Sequence, residues 1–286
     1  MRNIPQTDFV ARRTPFYIPG WKAATELIEA LRELHRYRHL LRAWTVRQIK
    51  VRYKQSLLGG LWAIVQPLSI TIVFSIIFSF FVKVPTGGVP YIIFYYSGLL
   101  PWTFFATSVT MGANSLVSNP NIITKIYCPR EILPLSAVFA TLLDFLVASL
   151  VYVALGFIYQ ISVGPSLILL PFLVIIQFFF TASVALVLAA LNVFYRDIRF
   201  VVPLALQIYM YATPLIYPVS TLPQSIRPFY MLNPMASLLH SYRLILVYNT
   251  WPDPVHLGSA LLITIVVTLA SYAFFTKAAK KFADLI

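Results

Sequence analysis

The sequence predicts an all-α integral membrane protein with six transmembrane helices, an N-terminal amphipathic interfacial helix, and two short outer-side helices between spans five and six. Three observations predict it. Of 286 residues, 59% are apolar and only 11% charged, against about 25% charged in soluble domains, and the mean hydropathy is +0.78. Long apolar runs recur between widely spaced charges, and a bilayer core about 30 Å thick needs roughly 20 such residues in a helix. Finally, the cations fall in alternate connections. A water-soluble enzyme is excluded. The net charge of +13 does not point to nucleic acid, because twelve of the 22 basic residues lie before Leu61.

Residues 1–60 read as a cytoplasmic segment ending in the interfacial helix. Trp21 to Tyr53 is helical in character, with Leu27, Leu31 and Leu34 at helix spacing and Val46, Ile49, Tyr53 and Leu57 continuing the stripe. Arg47, Lys50 and Lys54 flank that stripe, as in a helix whose cations reach anionic headgroups while its aromatics sit at headgroup level. A static anchor and a moving part fit this pattern equally well. His35 and His39 are four apart, but no carboxylate accompanies them in a zincin arrangement, so no metal site is expected. The single cysteine, Cys128, excludes a disulfide within the chain.

Residues 61–286 carry the spans, at about 61–82, 89–116, 133–159, 167–194, 200–217 and 255–276. Pro85-Thr86-Gly87-Gly88 turns the first into the second. Asp144 is the one acid inside a span. With no evident basic partner at its depth, it is expected to be neutral or hydrogen-bonded to a neighbouring Ser, Thr or Tyr. Nineteen Lys and Arg fall on the side of the termini and three on the other, which places both termini in the cytoplasm. Between spans two and three, Asn119 can cap a two-turn helix that opens at Pro120 and is ended by Pro129. Such a helix is too short to stand alone in water and needs a partner surface or its own bundle. On the outer side, Pro218 to Pro254 is too apolar for a solvated loop. Asn233-Pro234 starts one helix there, while Leu222 to Met231 is broken by Pro223 and Pro228.

Catalytic chemistry is missing. No glycine is followed by lysine, so there is no Walker A loop, and the nine acids are dispersed. A bundle rich in aromatics without a catalytic constellation points to a conduit driven by something else.

Several blocks resemble the type 2 ABC exporter permeases for polysaccharides and polyol phosphates, the membrane subunits of O-antigen and teichoic acid exporters. These are Ile49-Lys50-Val51-Arg52-Tyr53-Lys54-Gln55-Ser56 with Leu58-Gly59, Leu61-Trp62-Ala63 and Gln66-Pro67-Leu68. Further blocks are Lys125 to Glu131, Asn192 to Asp197, Pro214-Leu215-Ile216-Tyr217-Pro218 and Asn233-Pro234. The likeness runs from about Trp44 to the C-terminus.

The resemblance implies a multi-pass inner-membrane homodimer with a channel between the subunits, plus two copies of a separate ATP-binding subunit. The chain itself holds no cofactor, since ATP and Mg are left to that partner, and it is no enzyme. The implied substrate is a glycan on an undecaprenyl diphosphate carrier. A permease for a drug or small lipid, and a membrane glycosyl or acyl transferase, are the alternatives.

Three groups of residues follow as candidates. Asn119, Pro120, Ile123, Lys125, Ile126, Tyr127, Pro129, Arg130 and Glu131 would couple the chain to the ATPase. Arg47, Lys50, Arg52 and Lys54 would meet the lipid diphosphate at the entrance, although ordinary phospholipids would use the same cations. Phe74, Phe78, Phe81, Tyr209 and Tyr217 would line the glycan path by stacking on sugar faces, with lipid-facing or core aromatics as the rival reading.

Overall fold

A computed structural model of the chain describes residues 32, 35–54, 56–121 and 128–282, and among them there are nine α-helices and no strand. They are α1 (Arg38–Tyr53), α2 (Trp62–Ile76), α3 (Tyr91–Asn114), α4 (Ile132–Ile158), α5 (Leu170–Phe194), α6 (Ile198–Tyr211), α7 (Arg227–Tyr230), α8 (Pro234–Leu246) and α9 (Pro254–Ala279). Five helical stretches are long and apolar enough to cross a membrane: Gly59–Val82, α3, α4, Pro165–Phe194 and α9. Trp21, Leu27, Leu31 and Leu34 lie outside the described residues.

The bundle is organised around α3, which is mostly buried and contacts α2, α4, α5, α6 and α8. Its helical partners are apolar, so the helices are held by close packing and by the few polar groups that must find partners inside. Gly112 is one such close approach, since a Cβ there would stand 2.7 Å from that of Ala185 on α5. Ser108 pairs with Thr141 of α4, and the Tyr96 hydroxyl donates to the Ala148 carbonyl at 3.0 Å. The Gln177 amide of α5 donates to the carbonyl of Pro101 at 2.6 Å.

The structure departs from the sequence reading in three places. The segment expected as a fifth span, 200–217, is a 14-residue helix, α6, followed by turns. At 1.5 Å per residue α6 is about 21 Å long, short of a bilayer core. The chain unwinds where Pro214 removes an amide and where the carbonyls of Pro214, Leu215 and Tyr217 are taken by the Arg243 side chain. The first span ends in a π-helical turn, Ile77–Val82, closed by Lys83 in the left-handed region (φ 50°). That turn shifts the register, so Phe81 leaves the face shared by Phe74 and Phe78. Finally, α1 packs along α4 and places its last turn beside a transmembrane carboxylate.

The cap read from the sequence at Asn233-Pro234 recurs in the structure, and a second one not read there joins it at Asp253. The Asn233 side chain accepts the Met235 amide at 3.1 Å with Pro234 in the first turn, and Asp253 does the same for Val255 at 2.8 Å. Much of α2 with its π-helical turn, α6 and α9 remains apolar and exposed, including Val73, Phe80, Phe81, Phe200, Leu204, Ile208, Leu262 and Val266.

Candidate functional site: a polar cleft beneath the N-terminal helix

Asp144 is the thirteenth residue of α4, so it lies about 18 Å along the axis from Ile132. It is not alone at that depth. Arg52, at the C-terminal end of α1, forms an ion pair with Asp144 Oδ2, and the neighbouring Tyr53 hydroxyl donates to Oδ1 at 2.8 Å. The expectation of no basic partner at that depth is therefore corrected, since Arg52 supplies one, while the hydrogen bond expected from a neighbouring Ser, Thr or Tyr is present and comes from Tyr53. The guanidinium also contacts the Met111 sulfur. Burial lowers the proton affinity of Arg52 and raises the pKa of the Tyr53 phenol. Neither shift changes its charge state, because arginine keeps its proton and tyrosine is already neutral.

A cleft of about 330 Å³ opens at this pair, between the end of α1 and helices α2, α3 and α4. Tyr53, Trp62, Phe104 and Phe145 supply aromatic walls, and Gln66, Thr103 and Thr107 add polar groups. A cation, a carboxylate and aromatic faces within a membrane-spanning bundle can hold a charged headgroup or a sugar ring.

The four candidate headgroup cations share α1 or its immediate end but differ in surroundings. Arg52 is committed to Asp144, whereas Arg47 lies over the Trp44 ring at 4.3 Å and donates to Asn119 Oδ1 at 3.2 Å. Lys50 and Lys54 are exposed.

The candidate coupling segment is described only at its flanks, and Ile123, Lys125, Ile126 and Tyr127 lie outside the described residues. Pro120 is helical, and Asn119 donates to the Ser115 carbonyl at 2.9 Å while accepting from Arg47. Beyond the segment, the Pro129 carbonyl accepts the Ile132 amide at 3.2 Å, and that of Glu131 accepts the Leu135 amide at 3.0 Å. Arg130 lies 5.8 Å from the ring of Phe282. Phe282 is fully buried among Leu116, Leu133 and Phe275, and Trp44 of α1 and Phe194 of α5 pack on the same cluster. The segment thus leaves and re-enters a core to which both ends of the chain contribute.

The candidate path aromatics separate into three places. Phe74 stacks on Tyr95 at 4.9 Å and Phe78 on Tyr91 at 5.4 Å, inside the subunit between α2 and α3. Phe81 is 80% exposed. Tyr209 packs against Trp102 and Phe105 and bonds the Asn233 side chain, while the Tyr217 hydroxyl reaches the Tyr211 carbonyl at 2.9 Å and the Tyr230 hydroxyl at 3.1 Å.

Two features escaped the sequence reading. The first is the Arg52–Asp144 pair, whose partners are 92 residues apart. The second is Arg243 of α8, one of the three cations counted on the outer side, which is only 2% exposed. It donates to the carbonyls of Pro214, Leu215, Phe94 (3.3 Å) and Tyr217 (3.4 Å), and its guanidinium lies 3.8 Å from the Phe94 ring centre. The available signal was a lone arginine in an apolar helix opened by Asn233-Pro234.

The sequence model described as ABC-2 type transporter matches residues 39–247. The O-antigen export system permease protein RfbA of Myxococcus xanthus is 34% identical over 262 residues, covering 91% of this chain and 100% of that relative. A protein of the same name from Klebsiella pneumoniae is 32% identical over 248 residues, covering 86% and 95%. The polysialic acid transport protein KpsM of Escherichia coli is 20% identical over 238 residues, covering 80% and 90%.

Proposed function

The chain belongs to the ABC-2 type transporter family, and from that premise we propose that it is the permease subunit of an ATP-driven exporter of a lipid-linked surface polysaccharide. The observation that carries this reading is the end-to-end match to a permease named for O-antigen export, 34% identical over all of that relative's length. The cleft at Arg52, Tyr53 and Asp144 supports it, because headgroup and sugar chemistry both call for charged, hydroxyl and aromatic side chains together within an apolar bundle.

In this reading the end of the bundle that carries α1, Arg130 and Phe282 faces the cytoplasm of the inner membrane, and α6 with its following turns completes six membrane segments. α7 and α8 then dip into the outer leaflet. Two copies assemble around a shared path, which gives the exposed apolar faces of α2 and α6 a partner. Two ATP-binding subunits dock on the segment from Asn119 to Glu131, whose anchorage in the Phe282 core suits it to transmit motion. Arg47, Lys50, Arg52 and Lys54 receive the diphosphate of the carrier, with arginine forks and lysine ammonium groups matched to phosphate oxygens.

Affinity purification of the tagged chain from its own cells tests the reading. An ATP-binding subunit should co-purify, and lipid-linked glycan should raise ATP turnover of the complex. A chain that purifies without an ATPase and transfers sugar or acyl groups would instead be a transferase.

A further inference from the structure

We propose that Asp144 is a tethered counter-anion that competes with the substrate's diphosphate for Arg52, holding the guanidinium when the cleft is empty and yielding it to a prenyl-diphosphate lipid. The inference rests on the reading of the chain as a permease for lipid-linked glycan.

The geometry supplies both halves of such an exchange. Arg52 reaches Asp144 through Nη1 alone, and its remaining contacts are weak, Nη2 to the sulfur of Met111 and the guanidinium 6.0 Å from the centre of the Tyr53 ring. Most of the fork is thus uncommitted at the edge of a cleft large enough for a headgroup. Lys50 and Lys54, each two positions from Arg52 on or just beyond the same helix, are exposed on another side and do not line the cleft, which leaves Arg52 as its cation. A carboxylate in contact with Arg52 cancels the attraction that Arg52 would exert on an incoming phosphate, so the phosphate binds fully only where Asp144 gives way. When it does, Asp144 keeps the hydroxyl of Tyr53 on its other oxygen and its charge is not left bare. Because the pair ties the last turn of α1 to the middle of α4, exchange also frees that end of α1 from the span.

The test uses the complete complex of the chain with its ATPase, and farnesyl diphosphate and inorganic diphosphate as probes. At an effective dielectric of about 20, one negative charge about 6 Å from the phosphate opposes binding by roughly 100-fold before ionic screening. Asp144→Asn is therefore expected to tighten both probes by at least about tenfold. Tyr53→Phe, which deprives the displaced carboxylate of its second partner, is expected to weaken them by about threefold.

Opposite signs identify a competitor, since an Asp144 that merely positioned Arg52 would make both variants weaken binding. Spin labels at exposed Val51 and Leu143, placed in a Cys128→Ser background, give a readout without altering the pair or the cations. Farnesyl diphosphate should lengthen or broaden their distance.

Unchanged or weaker binding in Asp144→Asn, or a label distance indifferent to the probe, overturns the proposal. If lipid-linked glycan still drives ATP turnover in that case, the permease reading stands without it. A gain with inorganic diphosphate alone overturns the lipid form. If lipid-linked glycan fails to stimulate the wild-type complex, the permease reading falls and the inference with it.

Discussion

Gly98 offers a sharp test of the packing that positions the turns after α6. A Cβ at this position of α3 would stand 2.7 Å from Arg243 Nη2, 3.3 Å from its Cζ and 3.2 Å from Leu215 Cδ1. A free arginine would swing away at little expense. This one is held by four carbonyls and the Phe94 ring, so relieving the clash means giving up hydrogen bonds to buried acceptors. Overpacking of this kind costs about 1–3 kcal/mol. Alanine returns about 1 kcal/mol of helix propensity over glycine, which leaves Gly98→Ala destabilising by up to about 2 kcal/mol. Gly258 in α9, where nothing lies within 4 Å of an added Cβ, is the control. Gly258→Ala should be neutral or stabilising by up to about 1 kcal/mol.

Equilibrium unfolding in mixed micelles, followed by circular dichroism, measures both. The double variant Gly98→Ala/Arg243→Ala removes the clash and should fall short of the summed single losses by more than about 1 kcal/mol. Equal stability of the two alanine variants, or an additive cycle, would refute the argument that Arg243 is pinned.

Other predictions concern the proposed roles. Replacing Ile126 and Tyr127 by serine should release the ATPase subunit on purification or leave its turnover unlinked to export, as pull-down and export assays would reveal. Charge reversal at Arg47 and Lys50 should reduce lipid-stimulated ATP turnover more than basal turnover, whereas equal losses would indicate an anchoring defect. Tyr209→Phe removes a hydrogen bond to the Asn233 cap and should lower stability by about 1 kcal/mol in the same unfolding assay, with a correspondingly lower Tm.

Local regularities were readable from the sequence, and contacts between distant segments were not. Apolar runs bounded by charges give the five long helical stretches, and Asn233-Pro234 marks the start of α8 because cap chemistry is confined to a few residues. The Arg52–Asp144 pair joins two helices whose periodicities carry no trace of their mutual register. Charge counting places Arg243 on the outer side of the membrane but says nothing of its burial, because its partners are backbone carbonyls that have no sequence signature. The spacing of Phe74, Phe78 and Phe81 implies one face only if the helix stays at 3.6 residues per turn, and the π-helical turn from Ile77 breaks that condition. The same limit applies to α6, whose apolar run continues past the point where Pro214 and Arg243 end the helix. Within the candidate site, the cations of α1 were visible as a cluster, while the cleft that receives Arg52 is made by α2, α3 and α4 folding around it.

The central claim is that this chain, with its ATPase, carries a lipid-linked glycan across a membrane. Co-reconstitution of the complex into sealed vesicles, with labelled lipid-linked glycan on the ATPase side and a glycosidase enclosed in the lumen, measures that transfer directly. The account predicts ATP-dependent cleavage of the label, lost when this chain is omitted. Glycan that stays uncleaved while ATP is hydrolysed at its stimulated rate would contradict it.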